Sequence, residues 1–257
     1  MTLQLFAGRI FIKVRSDQAF QEAIENLYAV FAIYPAPKVL DASPLRDPVK
    51  ILRDLTSTPL RILPLEKLQY YTSTAITTVG EVNDYKHFLP RIVELATVES
   101  LLEPEIIAHK LQYGLWRDWP VREQDGLRQA FVLATMRAEQ QHPEEAPGFE
   151  SWLRASAMLQ LDVEPILQFT QRDKSLNAAL QVSNILLTAT LFEDRVEERG
   201  YWESVDEAIL QLIRNWLLDE SRVEELTAAR KTVSPVDAWL LDKAIEQRQK
   251  LISQRQQ

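Results

Sequence analysis

The sequence predicts an all-α protein: about eleven or twelve short antiparallel helices, in a multi-helix bundle or an irregular α-α superhelix. Three observations predict it. Apolar residues recur every three or four positions along most of the chain. Prolines and short polar residues sit at the expected helix edges. Only 6 glycines occur in 257 residues, too few for the tight turns that an all-β protein requires.

Residues 1–15 are the exception. Ile10, Ile12 and Val14 alternate with Phe11 and Lys13, as in a short strand. No second strand is evident, and an ordered extension is the other reading. Helices follow from there. Ser16 or Asp17 caps a run with Phe20, Ile24, Leu27, Tyr28 and Phe31 on one face, stopped by Pro35 and Pro37. Asp47-Pro48 opens a helix ending near Thr56. Pro64 opens another that carries Leu65, Leu68, Tyr71, Ala75, Ile76 and Val79 inward and ends at Gly80. Asp84–Val98 is next, with Pro90 inside it expected to kink the axis or delay its start to His87. Pro104 and Pro120 begin helices near 104–116 and 120–141. Further helices are expected near 149–160, 163–172, 174–192, 204–219, 221–231 and 235–253. In the fourth of these, Ser204 and Glu207 read as a capping box ahead of a wide apolar stripe.

His142-Pro143 through Gly148 is the clearest break. It separates an N-terminal helical part, 1–142, from a C-terminal part, 143–257, or it is a loop within one continuous domain. No repeat of 30–50 residues is evident, which argues against a regular solenoid.

Composition narrows function. A formal charge of −8 repels a polyanion, so no nucleic-acid partner is expected. The basic tail Lys243, Arg248, Lys250 and Arg255 reads as a solvated last helix with cations well placed against its dipole. With no cysteine, disulfides, thiolate metal sites and cysteine catalysis are excluded. Arg9, Lys13 and Arg15 interrupt any signal-peptide core. The apolar runs Leu27–Ala36 and Ile185–Phe192 fall short of the ~20 residues of a membrane span. A cytoplasmic protein with no membrane partner and no cofactor is the expectation.

Four features carry candidate chemistry. Asp84, His87, Arg91 and Glu94 fall within about 80° of one helix face. A carboxylate beside an imidazole can raise its basicity, and a nearby arginine can hold an anion. The same arc is also what an amphipathic helix must present to water, since Tyr85, Phe88, Leu89, Ile92 and Val93 occupy the other side. Asp84-x-x-His87 and Glu139-x-x-His142 resemble carboxylate–histidine metal pairs, but three histidines and a fraying helix end at Pro143 argue against a metal. Trp116 and Trp119 lie in a loop-prone segment where exposed aromatic anchors would mark an interface. Glu193, Asp194, Glu197 and Glu198 form an acidic cluster; from Glu193 to Glu225 eleven acidic residues face four basic ones, a local charge of −7. Such a field either coats a solvated face or steers a basic partner.

The segment Thr78-Val-Gly-Glu-Val-Asn-Asp-Tyr-Lys-His-Phe-Leu-Pro-Arg-Ile-Val-Glu-Leu95 resembles an uncharacterised bacterial family sharing T-x-G-x-x-x-D-[FY]-x-H-F-L-P-R-x-x-E-L. The helix with Leu27-Tyr28-Ala29-Val30-Phe31 is also similar, so the likeness covers roughly the first hundred residues. The resemblance implies a bacterial source and no particular activity. Members often carry a close cysteine pair where this chain reads Asp41 to Pro48, so a metal or redox role for that pair cannot apply here. The leading expectation is a non-enzymatic module that binds another, basic protein, with an inhibitor or immunity-type protein as one version. An enzyme or small-ligand binder built on Asp84, His87, Arg91 and Glu94 is the alternative.

Overall fold

A computed structural model describes residues 2–43, 45–145, 148–188 and 190–255, with side chains described from Asp17 onward. Twelve α-helices and no sheet occur among them, so the all-α expectation holds. The chain divides into two compact units, Asp17–Ala134 and residues up to Ser16 with Thr135–Gln257.

The first unit holds most of α1 (Thr2–Phe31), then α2 (Pro48–Leu55), α3 (Leu65–Thr74), α4 (Val82–Ala96), α5 (Pro104–Tyr113) and the larger part of α6 (Val121–Glu139). α2 begins as its sequence dictates: the Asp47 side chain accepts from Lys50 N at 2.9 Å and Pro48 occupies the first helical position. Phe20, Ile24, Leu27 and Phe31 of α1 meet a core built from Leu68 and Tyr71 of α3, Tyr85, Phe88, Leu89 and Ile92 of α4, Ile107 and Leu111 of α5, and Leu127 and Phe131 of α6. Tyr71 and Phe88 pack edge to face at 5.2 Å. Burying each of these side chains contributes about 1.5–3 kcal/mol.

The second unit holds α7 (Phe149–Met158), α8 (Glu164–Arg172), α9 (Leu176–Thr188), α10 (Glu207–Leu218), α11 (Glu220–Arg230) and α12 (Pro235–Arg255), with three 3₁₀ turns between Thr190 and Ser204. α9 is its centre. Residues from Ala178 to Ile185 are buried on nearly every side, apart from Asn184, as expected of a helix apolar around most of its circumference. α12 lies along it, with α11 and α7 also against it. Gln181, in the middle of α9, ties three strands of main chain: its amide donates to Ala138 O and Gln141 O, and its carbonyl accepts from Phe149 N.

Four expectations change. The strand expected at Ile10, Ile12 and Val14 is helical instead, because α1 runs from Thr2. With no partner strand, only a helix pairs the backbone groups locally. α3 stops at Thr74 and does not continue to Val79. Thr72, Thr74 and Thr78 hydroxyls bond back to carbonyls four residues earlier, and Val79 instead bridges to Ala42. α4 starts at Val82, not late near His87, and contains a buried Pro90 within its span. Finally, Ser204 ends a 3₁₀ turn and Asp206 caps α10, accepting from Ala208 N at 2.9 Å. The buried pair Trp202 and Val205 moves the helix start two residues on.

Candidate binding site

The polar face of α4 is engaged with its own unit. Asp84 Oδ2 accepts the Glu81 N–H at 2.8 Å and so caps α4. His87 Nδ1 lies 2.9 Å from Tyr34 O; a carbonyl only accepts, so this nitrogen carries the proton. Arg91 donates through Nε to Leu63 O at 2.9 Å and through Nη1 to Glu94 at 2.7 Å. Glu94 also accepts from the Tyr28 hydroxyl at 2.7 Å. Burial and the Glu94 carboxylate together hold the Tyr28 phenol well above its ordinary range. Asp84 thus caps α4 itself, His87 ties it to the segment after α1, and Arg91 and Glu94 fasten it to the 60–63 turn and to α1. His87 and Asp84, three residues apart, serve different partners and form no acid–base pair.

Trp116 and Trp119 are buried, not presented as anchors. Leu115 takes a left-handed conformation (φ 54°) and stands exposed, which turns the following Trp116 inward. Trp119 donates to Gly114 O at 2.8 Å. Tyr113, Leu115 and Val121 face water instead, and the exposed tryptophan of the chain is Trp239.

The acidic segment is at the surface. Glu193, Asp194, Glu197 and Glu198 are all exposed. Arg195 pairs with Glu197 at 2.7 Å and Glu198 at 3.2 Å. The Glu197 carboxyl sits below its ordinary range because its own backbone N–H and Arg195 favour the charged form. Glu193 and Asp194 have no ion-pair partner among the described residues, although their main chain is fixed. Arg199 donates to Glu193 O at 2.9 Å and to Asp194 O at 3.5 Å, and Thr190 Oγ1 donates to Arg199 O at 2.6 Å.

Those two acids form one lip of a cleft of about 1050 Å³, lined also by Arg199, Arg214, Lys250 and Arg255. The end of α9, the turn at 190–194, α10 and the last turns of α12 build it. Gln247, Lys250, Leu251 and Gln254 recur at helical spacing, so α12 turns one stripe to the cleft. Glu207 joins two of the arginines, at 2.8 Å from Arg214 Nη1 and 3.0 Å from Arg199 Nη1. Arg214 also donates to Leu191 O at 2.7 Å. Burial, with Arg199 and Arg255 adding positive charge, weakens the hold of the Arg214 guanidinium on its proton.

A second cleft, about 450 Å³, opens between α9 and α11, with Arg222 in its wall. Arg222 is 1% exposed and pairs with Glu225 at 2.6 Å. Beside it Glu139 is buried completely, and neither carboxylate oxygen finds a hydrogen-bond partner among the described residues. Burial pushes this carboxyl well above its ordinary range, and Asp173 adds to the shift. Of the two carboxylate–histidine pairs, this one is split: His142 turns to Asp237, 3.4 Å away. No group of three or more potential metal ligands is gathered among the described residues.

No helix among the described residues is long and apolar enough to cross a membrane. Comparison with protein-family models, with curated proteins and with solved structures finds no match to this chain.

The sequence contained part of this site. Glu193 and Asp194 stood out by charge density, and Lys250 and Arg255 by their place in a basic tail. Arg199 reads only as a counter-charge to the acidic cluster, and Arg214 does not stand out. Arg214 is a lone cation within the apolar run of α10, and that interruption was the available signal.

Proposed function

We propose that this chain is a non-enzymatic, cytoplasmic protein-binding module that receives a basic partner on the acidic segment 193–198. One observation carries the reading: Glu193 and Asp194 are exposed without ion-pair partners among the described residues, while Arg199 and Thr190 fix the main chain beneath them. A preordered charged segment loses little entropy on binding, and its field speeds encounter with an opposite charge. The adjoining cleft is lined mainly by polar and charged side chains, which suits a protein surface better than an apolar small molecule.

The test is quantitative capture from the source cell with the intact chain and with Glu193→Lys/Asp194→Lys. A specific protein enriched by the first, lost with the second and released as salt rises is the expected result. Identical capture by both chains, or none by either at physiological salt, would reject the reading.

A further inference from the structure

We propose that the basic wall of the large cleft in the second unit is a binding site for a compact multivalent oxyanion, such as a phosphate or polycarboxylate group. The argument is independent of the acidic lip.

Four cations line the cleft, Arg199, Arg214, Lys250 and Arg255, in a chain whose net charge is −8. Like charges converge against the trend of the whole molecule only where something compensates them. Glu207 supplies one carboxylate, shared between Arg199 and Arg214. Arg255 is met by the neutral Asn215 Oδ1, at 3.4 Å. Lys250 Nζ and Arg214 Nη2 make no hydrogen bond or ion pair among the described residues. Counting the lining charges with Glu207, four positive groups face three negative ones, and Glu193 and Asp194 are exposed on the lip. Glu207 is thus the one carboxylate that pairs with any of the four cations among the described residues.

Arg214 is the anchor. It is 8% exposed, and its Nε and Nη1 are fixed by Leu191 O and Glu207. That fixes the plane of the guanidinium and leaves Nη2 for an incoming oxygen. A planar guanidinium so held loses little entropy on binding an oxyanion, and such charge-assisted bonds are stronger than neutral ones. Lys250 and Arg255, near the end of α12, line the same cleft, and Arg255 reaches Asn215, the residue after Arg214. Thr188, Thr190, Gln211, Gln247 and Gln254 complete the lining with hydroxyls and amides, which suits a polar organic body attached to the anion.

The probes are inorganic phosphate and citrate, titrated into the intact protein by calorimetry at fixed ionic strength in chloride. At least one should bind, and Lys250→Ala/Arg255→Ala should weaken it by about tenfold or more, the effect of one good charge-assisted contact. Both substituted residues are exposed, so the fold should be kept; an unchanged thermal midpoint without anion verifies that. Lys231→Ala, an exposed cation outside the cleft, should leave affinity unchanged. Stronger binding of phosphate would mark a phosphorylated ligand, and stronger binding of citrate a carboxylate ligand. No heat with either anion would overturn the proposal, as would equal weakening by Lys231→Ala or unaltered affinity in the double variant. Because no partner protein enters this titration, its outcome is separate from that of the capture experiment.

Discussion

Lys86 and Glu123 form an ion pair at 2.8 Å, each almost wholly removed from water, between α4 and α6. The Tyr34 hydroxyl donates to the other Glu123 oxygen at 2.6 Å and accepts from Lys86 at 2.9 Å. The Trp119 ring lies 4.1 Å from the ammonium. Removing one partner strands a buried charge. Lys86→Met or Glu123→Leu alone should cost about 3–5 kcal/mol in urea unfolding, whereas the double variant should recover most of the loss. Additive single losses would mean that the two groups do not act as a pair.

Glu139 sets a pH dependence. Its folded pKa lies above that of the unfolded chain, because burial and Asp173 disfavour its charge. The folded protein then holds a proton that the unfolded chain releases once pH passes the ordinary carboxylate range. Stability is therefore unaffected by this group in acid and falls as pH rises above that range, by at most about 1.4 kcal/mol per pH unit. Glu139→Gln should flatten that slope and raise the thermal midpoint at pH 7–8. An unchanged profile in the variant would show Glu139 ionised in the fold.

Gln181 bonds two carbonyls and one N–H from the centre of α9. Gln181→Leu keeps the volume and strands the buried Phe149 N–H, while Ala138 O keeps its bond from Gln141 N at 3.1 Å and Gln141 is only partly buried. The expected cost is about 1–3 kcal/mol, that of one stranded buried group, read by denaturant unfolding.

Two left-handed glycines should respond differently to alanine. At Gly80 (φ 66°) an added Cβ would meet Asp84 Oδ2 at 3.0 Å and Leu40 at 3.1 Å. At Gly200 (φ 57°) the nearest atom is Thr190 Oγ1, at 3.8 Å. Gly200→Ala should cost about 1 kcal/mol, the backbone penalty alone, and Gly80→Ala roughly 2–4 kcal/mol, because the α4 cap must also shift. Equal losses would mean that the contacts at Gly80 relax freely.

Helix existence was legible because it rests on local periodicity. Phe20, Ile24, Leu27 and Phe31 mark their buried face without reference to any other part of the chain. Helix ends were less so. Asp47 caps α2 as read, but Ser204 lost to Asp206 because Trp202 and Val205 are buried ahead of it, a tertiary effect. The polar face of α4 was recognised as a cluster, yet its partners, Tyr28, Tyr34 and Leu63, lie up to 66 residues away. The basic wall joins positions 199, 214, 250 and 255, a juxtaposition that no local spacing encodes.

Ile76 gives the 75–80 corner its character. A β-branched residue at φ 66° sits about 1–2 kcal/mol above its relaxed conformation. What restrains it is the close approach of α5: a Cβ at Gly114 would lie 3.3 Å from Ile76 Cδ1 and 3.4 Å from the Trp119 ring. The corner in turn supports the bonds Ser43 N to Thr78 O and Gly80 N to Asp41 O. A methyl group grafted onto Gly114 would therefore meet Lys110 O at 3.2 Å as well as Ile76 Cδ1 and the indole, so the glycine is the spacer that lets the end of α5, the strained corner and Trp119 share one small volume.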